Sequence, residues 1–168
     1  MKSVAMVIAE KNFRDEEYQR PKEVLEKAGI KVVTISTTIS TVSGKLGLKV
    51  TPDLLLDQVN INDFDALIFI GGGGAEQYFD DSKAIKLAQE AAGKNKICGA
   101  ICIAPVILAN AGLLNHKKAT VFQSEISKIK EKGAHYTNKK VVVDGHLVTA
   151  NGPEAAEDFG EAILKLLT

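Results

Sequence analysis

Residues 96–105 read KICGAICIAP, and this stretch predicts the fold of the chain. Residues 96–101 form a short, mainly apolar run of the length expected for a buried strand. Pro105 suits the first turn of a following helix, because its fixed φ angle matches the helix and no N–H is needed there. Cys102 is therefore predicted to stand at a sharp turn between a strand and a helix.

Small residues flank Cys102 two positions away on each side. Ala100 and Ala104 take the places of the two glycines in the nucleophile elbow, usually written G-x-S-x-G. The turn of such an elbow is so tight that only small side chains fit beside it, and the central residue is pushed into the active cleft. The alternative is that Cys102 is a small buried hydrophobic side chain, which is our interpretation of Cys98 inside the strand.

The predicted position of Cys102 bears on its chemistry. Free N–H groups and the helix dipole stabilise a thiolate, so we expect a pKa below the free value of about 8.5. Cys98 and Cys102 would lie about 13 Å apart on an extended chain, whereas a disulfide needs Cα atoms within about 7 Å. Their spacing is also not the C-x-x-C of redox or zinc motifs, so we expect two reduced thiols and no metal.

Four glycines, residues 71–74, follow another apolar run and are the second candidate site feature. Glycines there let the backbone approach a reacting centre and aim N–H groups at it, as an oxyanion hole requires. The alternative is a flexible loop. A phosphate cradle is disfavoured because no G-K-[ST] follows and G-x-G-x-x-G is not matched.

Strands and helices alternate along the rest of the chain. Strands are predicted at residues 3–9, 31–36, 65–70 and 119–122, with hairpins around residues 43–45 and over residues 141–149. Helices are predicted at residues 15–28, from an N-cap at Ser82 to Gly93, from Pro105 onward, and at residues 125–132 and 154–167. This alternation predicts one domain over residues 1–168, an α/β three-layer αβα sandwich around a mostly parallel sheet.

Composition excludes some function classes. The 21 basic and 21 acidic side chains cancel, which removes the usual electrostatic reason to bind nucleic acid or an anionic membrane and is compatible with self-association. No run approaches the roughly 20 apolar residues of a membrane span, and no targeting segment is recognisable. We expect a cytoplasmic protein.

Several motifs together resemble the ThiJ/PfpI superfamily, which includes the Parkinson's-linked protein deglycase and the intracellular protease PfpI. They run nearly end to end: residues 13–17 with Pro21, residues 64–67, Gly71-Gly72, residues 100–105, 111–114, 135–137, 143–145 and 151–153. The resemblance implies a flavodoxin-like fold and homodimers or larger assemblies. It also implies that Cys102 is the reactive cysteine, that Glu17 hydrogen-bonds it, and that the amides of Gly72 and Ile103 form the oxyanion hole.

The chain departs from the family pattern at its histidines. In the PfpI branch a histidine, the general base, follows the cysteine, whereas Ile103 stands there in this chain. Phe122 takes the position of a nearby histidine in the other branch. His116 and His146 are in no recognisable partner motif, and His135 is the one histidine we keep as a candidate support for the site.

Three functions are compatible with these residues, besides the option of an inert binding domain that kept the elbow. The first is a glyoxalase- or deglycase-type enzyme in which a Cys102 thiolate, assisted by Glu17, attacks small reactive carbonyls or their adducts; this route needs no cofactor. The second is a redox-sensing or chaperone-like stress protein in which Cys102 is oxidised without turnover. The third, an intracellular cysteine peptidase or amidase, is disfavoured by Ile103, because amide cleavage needs a positioned acid for the departing amine.

Overall fold

A computed structural model describes all 168 residues. Its strands are β1 (Ser3–Val7), β2 (Lys11–Phe13), β3 (Lys31–Ser36), β4 (Val42–Gly44), β5 (Lys49–Val50), β6 (Leu54–Leu55), β7 (Ala66–Phe69), β8 (Ile97–Ile101), β9 (Lys118–Ala119), β10 (His135–Tyr136), β11 (Val141–Asp144) and β12 (Leu147–Ala150). The α-helices are α1 (Asp15–Lys27), α2 (Ser82–Gly93), α3 (Pro105–Asn110), α4 (Ile126–Glu131) and α5 (Ala156–Leu167). Helix α5 is preceded by a 3₁₀ turn at Pro153–Ala155, and α4 by one at Gln123–Glu125.

The central sheet has seven strands in the order β11-β12-β8-β7-β1-β3-β6. All neighbouring pairs are parallel except β11 with β12, which form the predicted hairpin. Every residue of β7 and β8 is buried, as their continuous apolar sequences require of strands covered on both faces. Helices α1 and α5 pack against each other, as do α2 and α3, which confirms the three-layer α/β architecture.

The strand order locates the site. From β1 the chain moves outward to β3 on one side, and then returns to β7 and β8 on the other side of β1. The connections after β1 and β7 therefore diverge, and the crevice between their carboxyl ends is where ligands bind in such sheets. The segment leading into α1 and residues Gly71 and Gly72 lie at this crevice.

Several local predictions differ from the structure in detail. The N-cap of α2 is Asp81, not Ser82, because the Asp81 carboxylate accepts a hydrogen bond from the Ala84 amide at 2.9 Å. The predicted strand 119–122 is shorter, since the Thr120 amide donates instead to the Thr149 hydroxyl at 2.9 Å. No helix is both long and apolar enough to cross a bilayer.

Candidate functional site

Cys102 occupies the predicted sharp turn between β8 and α3. Its φ angle is +65°, in the left-handed region that side chains other than glycine rarely adopt. Two backbone hydrogen bonds hold it there, from its own amide to the Ala150 carbonyl at 2.9 Å and from the Phe122 amide to its carbonyl at 2.8 Å. Ala100 and Ala104 are completely buried beside it, which agrees with the crowding argument for small residues.

Glu17 lies in the first turn of α1 and approaches the elbow from across the crevice. Its side chain is completely buried, and neither carboxyl oxygen has a hydrogen-bond partner of regular geometry. Gly71 makes the approach possible: a Cβ at that position would lie 2.5 Å from the Cys102 Cβ and 2.6 Å from the Glu17 Oε1. A larger residue than glycine would therefore have to push the two side chains apart.

Gly72 and Ile103 present their backbone amides to the Cys102 sulfur, where each amide lowers the pKa of the thiol. Gly72 has a φ angle of +96°, and a Cβ there would collide with the backbone of residues 12–14. Glycine is needed at this position for both reasons. The structure thus brings together the four residues that the resemblance implied: Cys102, Glu17, Gly72 and Ile103.

Burial controls the protonation of Glu17. Loss of solvation raises its pKa from an ordinary 4.5 to about 8, against smaller lowering effects from the Cys102 thiol and the Arg14 guanidinium. The carboxyl group is therefore protonated at neutral pH and can donate a hydrogen bond. Since neither oxygen has a hydrogen-bond partner of regular geometry, the group can accept a proton at one oxygen and donate from the other.

The prediction of a low thiol pKa is wrong. Burial raises the pKa of Cys102 to about 12, and the negative charge of ionised Glu17 adds to the effect, whereas the amides of Gly72 and Ile103 only partly oppose it. The amides at the start of a helix can be predicted from the local sequence. The loss of solvation that raises the thiol pKa comes from segments that are distant in the sequence. At neutral pH Glu17 is uncharged, so its contribution to raising the thiol pKa then disappears.

This pairing predicts the pH dependence of Cys102 alkylation. Iodoacetamide cannot take up the thiol proton, so Glu17 must be ionised to accept it, and we expect the rate to rise with pH through about 8. In Glu17→Gln no base is present, and the rise should move to higher pH. Peptide mass spectrometry distinguishes labelling of Cys102 from labelling of Cys98. Burial raises the pKa of the Cys98 thiol to about 12 as well. The same midpoint in both proteins would rule out Glu17 as the base.

A pocket of about 310 Å³ opens onto the thiol. Its lining residues are Arg14, Glu17, Lys45, Gly72, Gly73, Glu76, Cys102, Ile103, Phe122, Ser124, Glu125 and Pro153. None of these residues is a histidine. Phe122 lines the pocket, as expected for a residue that takes the position of a histidine near the cysteine. Larger cavities lie beside it (740 Å³) and between α1 and α5 (810 Å³), but neither is lined by a cysteine. A cavity of about 430 Å³ is lined by Cys98 at the other end of β8.

His135 is not brought to Cys102. It is an exposed residue of β10 that pairs with Lys118, whose amide donates to Asp144 at the β11–β12 turn. This turn lies at the end of the sheet where β8 begins, because Leu147 pairs with Cys98. His135 and Cys102 are therefore at opposite ends of the sheet, and a supporting role for His135 has no geometric basis within one chain.

Sequence reasoning missed the charged residues around the pocket. Arg14, Lys45 and Glu76 come from three different segments, and no local pattern marks them. Arg14 belongs to the segment that carried the family resemblance, which is the one signal that could have singled it out. No group of three or more His, Cys, Asp or Glu side chains is arranged to hold a metal ion.

Comparison with known proteins places this architecture in context. The family model of the DJ-1/PfpI family matches residues 2–166. An uncharacterised protein of Methanocaldococcus jannaschii is 44% identical over 167 residues, covering 98% of this chain and 82% of that protein. The aligned region therefore spans nearly the whole of this chain.

Solved structures agree over the same length. A ThiJ/PfpI domain protein from Brachyspira murdochii superimposes with a TM-score of 0.96 at 37% identity, covering 98% of this chain and 95% of that one. DJ-1beta of Drosophila melanogaster gives a TM-score of 0.89 at 29% identity, covering 99% and 90%. The whole chain thus shares its fold with these proteins.

Proposed function

This chain belongs to the DJ-1/PfpI family, and from that membership we propose that it is an enzyme of the glyoxalase or deglycase type, acting on small reactive carbonyl compounds or their adducts. The observation that carries the proposal is the Glu17 carboxyl group, which is buried beside Cys102 with no hydrogen-bond partner of regular geometry on either oxygen. A side chain in this state is costly for folding and suited to proton transfer.

The first chemical step is addition of the Cys102 sulfur to an aldehyde carbon. As the S–C bond forms, the electron pair of the C=O bond moves to oxygen, close to the amides of Gly72 and Ile103. Protonated Glu17 donates its proton to that oxygen and recovers one from the thiol. The product is a neutral hemithioacetal, and Glu17 ends the step in its starting form. This relay needs neither a free thiolate nor a histidine.

Turnover of a 2-oxoaldehyde requires further proton transfers. Glu17 takes up the proton of the sulfur-bearing carbon while it donates its own proton to the neighbouring carbonyl oxygen, which gives an enediol. Glu17 then protonates the former carbonyl carbon and takes up the hydroxyl proton of the sulfur-bearing carbon, which gives the thioester of a 2-hydroxy acid and leaves Glu17 protonated. Glu17 is the completely buried carboxyl group of the pocket, whereas Glu125 is paired with Lys128, and Glu17 is the residue we assign to these transfers. Water then cleaves the thioester, releasing the acid and the free thiol. A pocket of about 310 Å³ has room for substrates of this size.

Consumption of methylglyoxal tests the proposal. Cys102→Ser should lose at least about a hundredfold in rate, because it removes the nucleophile, and Glu17→Gln should also lose at least about a hundredfold, since positioned acid–base groups contribute roughly 10²–10⁴. Cys98→Ser is the matched control, because Cys98 is buried at the far end of β8 and should tolerate the change with normal turnover. Equal rates for wild type and Cys102→Ser would overturn the proposal, and equal rates for Glu17→Gln would remove the proton relay.

The redox-sensing alternative is supported by the same carboxyl group. A protonated Glu17 could donate a hydrogen bond to an oxygen of oxidised Cys102 and so favour a sulfinic acid. In that case peroxide would oxidise Cys102 while no carbonyl compound was turned over. The peptidase alternative has less support, since no histidine lines the pocket. Cytoplasmic location and assembly into homodimers or larger oligomers stay predictions.

A further inference from the structure

The turn between β4 and β5 is fastened to the start of α1 by a buried carboxylate. Asp15 is 7% exposed, and its two oxygens accept hydrogen bonds from the backbone amides of Leu46, at 2.9 Å, and Leu48, at 2.8 Å. Gly44 leaves room for this carboxylate, because a Cβ there would collide with it. Asp15 is two residues before Glu17, so one helical turn both carries Glu17 and holds the β4–β5 turn.

Lys45 is the residue that this arrangement brings to the pocket. Its amide donates to the Phe13 carbonyl at 2.9 Å, which adds a third hydrogen bond between the turn and the β2–α1 segment. The Lys45 side chain lines the Cys102 pocket and has no carboxylate within ion-pair distance. Lys45 is exposed to solvent, so it is a cation with a fixed backbone and an unpaired charge at the rim of the Cys102 pocket.

The other charges around the pocket are mostly compensated. Arg14 pairs with Glu16 at 3.0 Å, and Glu125 pairs with Lys128 at 3.3 Å. Glu17 is neutral at pH values below about 8. The unpaired charges of the lining are thus one cation, Lys45, and one anion, Glu76. A ligand carboxylate is attracted by the first and repelled by the second.

We propose that Lys45, positioned by Asp15, gives the Cys102 pocket a preference for small electrophiles that carry a carboxylate. Asp15 acts as a positioning residue, because it touches the turn and not the ligand. For the carbonyl chemistry, this inference rests on the proposed function. The preference for a carboxylate then makes aldehydes with an attached carboxylate the favoured substrate class. Neutral aldehydes of the same size would enter without this attraction.

The ratio of two alkylation rates tests the preference without any turnover. Iodoacetate and iodoacetamide both form a C–S bond with Cys102 and release iodide, while the thiol proton passes to ionised Glu17. The two reagents differ in the carboxylate that iodoacetate carries. We expect Lys45→Gln to lower the iodoacetate-to-iodoacetamide rate ratio roughly five- to tenfold, and Glu76→Gln to raise it. Added salt should lower the ratio in wild type and not in Lys45→Gln.

Two further variants separate positioning from general damage. Lys49→Gln is the matched control, because Lys49 is an exposed lysine of the same hairpin bonded to Ser43, outside the pocket lining, and the ratio should not change. Asp15→Asn keeps Lys45 but loses one of the two carboxylate contacts, and we expect it to lower the ratio as well. An unchanged ratio in Lys45→Gln would overturn the proposal. Equal slowing of both reagents in Asp15→Asn would leave Asp15 with a structural role alone.

Discussion

Relative to Glu17→Gln, the wild-type protein should lose on the order of 5 kcal/mol of unfolding free energy between pH 4.5 and about 8. Below pH 4.5 the carboxyl group is protonated in both the folded and the unfolded state, and its ionisation has no effect. As pH rises, the unfolded chain releases the proton while the folded protein keeps it until about pH 8. The unfolded state is therefore favoured by about 1.4 kcal/mol per pH unit, and the difference is constant above pH 8.

Urea unfolding of the two proteins at several pH values between about 5 and 8 measures this effect. Groups that titrate equally in both proteins cancel in the difference. Glu23→Gln is the matched control, since Glu23 is an exposed residue of the same helix and should follow wild type at every pH. Parallel curves for wild type and Glu17→Gln would show that Glu17 is not held protonated in the folded protein.

Gly71→Ala should destabilise the protein by about 3 kcal/mol or more and slow Cys102 alkylation. The added Cβ would lie 2.5 Å from the Cys102 Cβ, 2.5 Å from the Ile101 carbonyl oxygen and 2.6 Å from the Glu17 Oε1. The Cys102 Cβ and the Ile101 carbonyl oxygen are attached directly to the backbone and cannot rotate away. The backbone of the elbow therefore has to move. The movement should separate Glu17 from the thiol and remove the base that alkylation needs.

Gly73→Ala provides the comparison within the same loop. A Cβ at Gly73 meets no atom within 4 Å, and the residue does not have a left-handed φ angle, so the unfolding free energy should change by less than about 1 kcal/mol. Urea unfolding gives both stabilities, and iodoacetamide labelling gives the Cys102 rate. A Gly71→Ala protein with wild-type stability and reactivity would contradict the close packing of Gly71 between Cys102 and Glu17.

The local sequence determined the alternation of strands and helices and the elbow. Residues 96–105 predict a buried strand, a tight turn and a helix start because each requirement is met by neighbours in the chain: apolar side chains, the small Ala100 and Ala104, and Pro105. Boundaries were less predictable where long-range contacts compete, as at Thr120, whose amide bonds a side chain of β12. The role of Glu17 came from the family resemblance and not from any local pattern.

Only the tertiary structure decided the electrostatics of the site. The pKa of Cys102 is raised because distant segments bury the thiol, and this outweighs the nearby amides that the sequence suggested. Lys45 reaches the pocket through its turn's contacts with Asp15, and His135 is carried to the far end of the sheet by the register of β9 and β10. Desolvation and charge proximity are sums over atoms from many separate segments, so only the folded arrangement determines them.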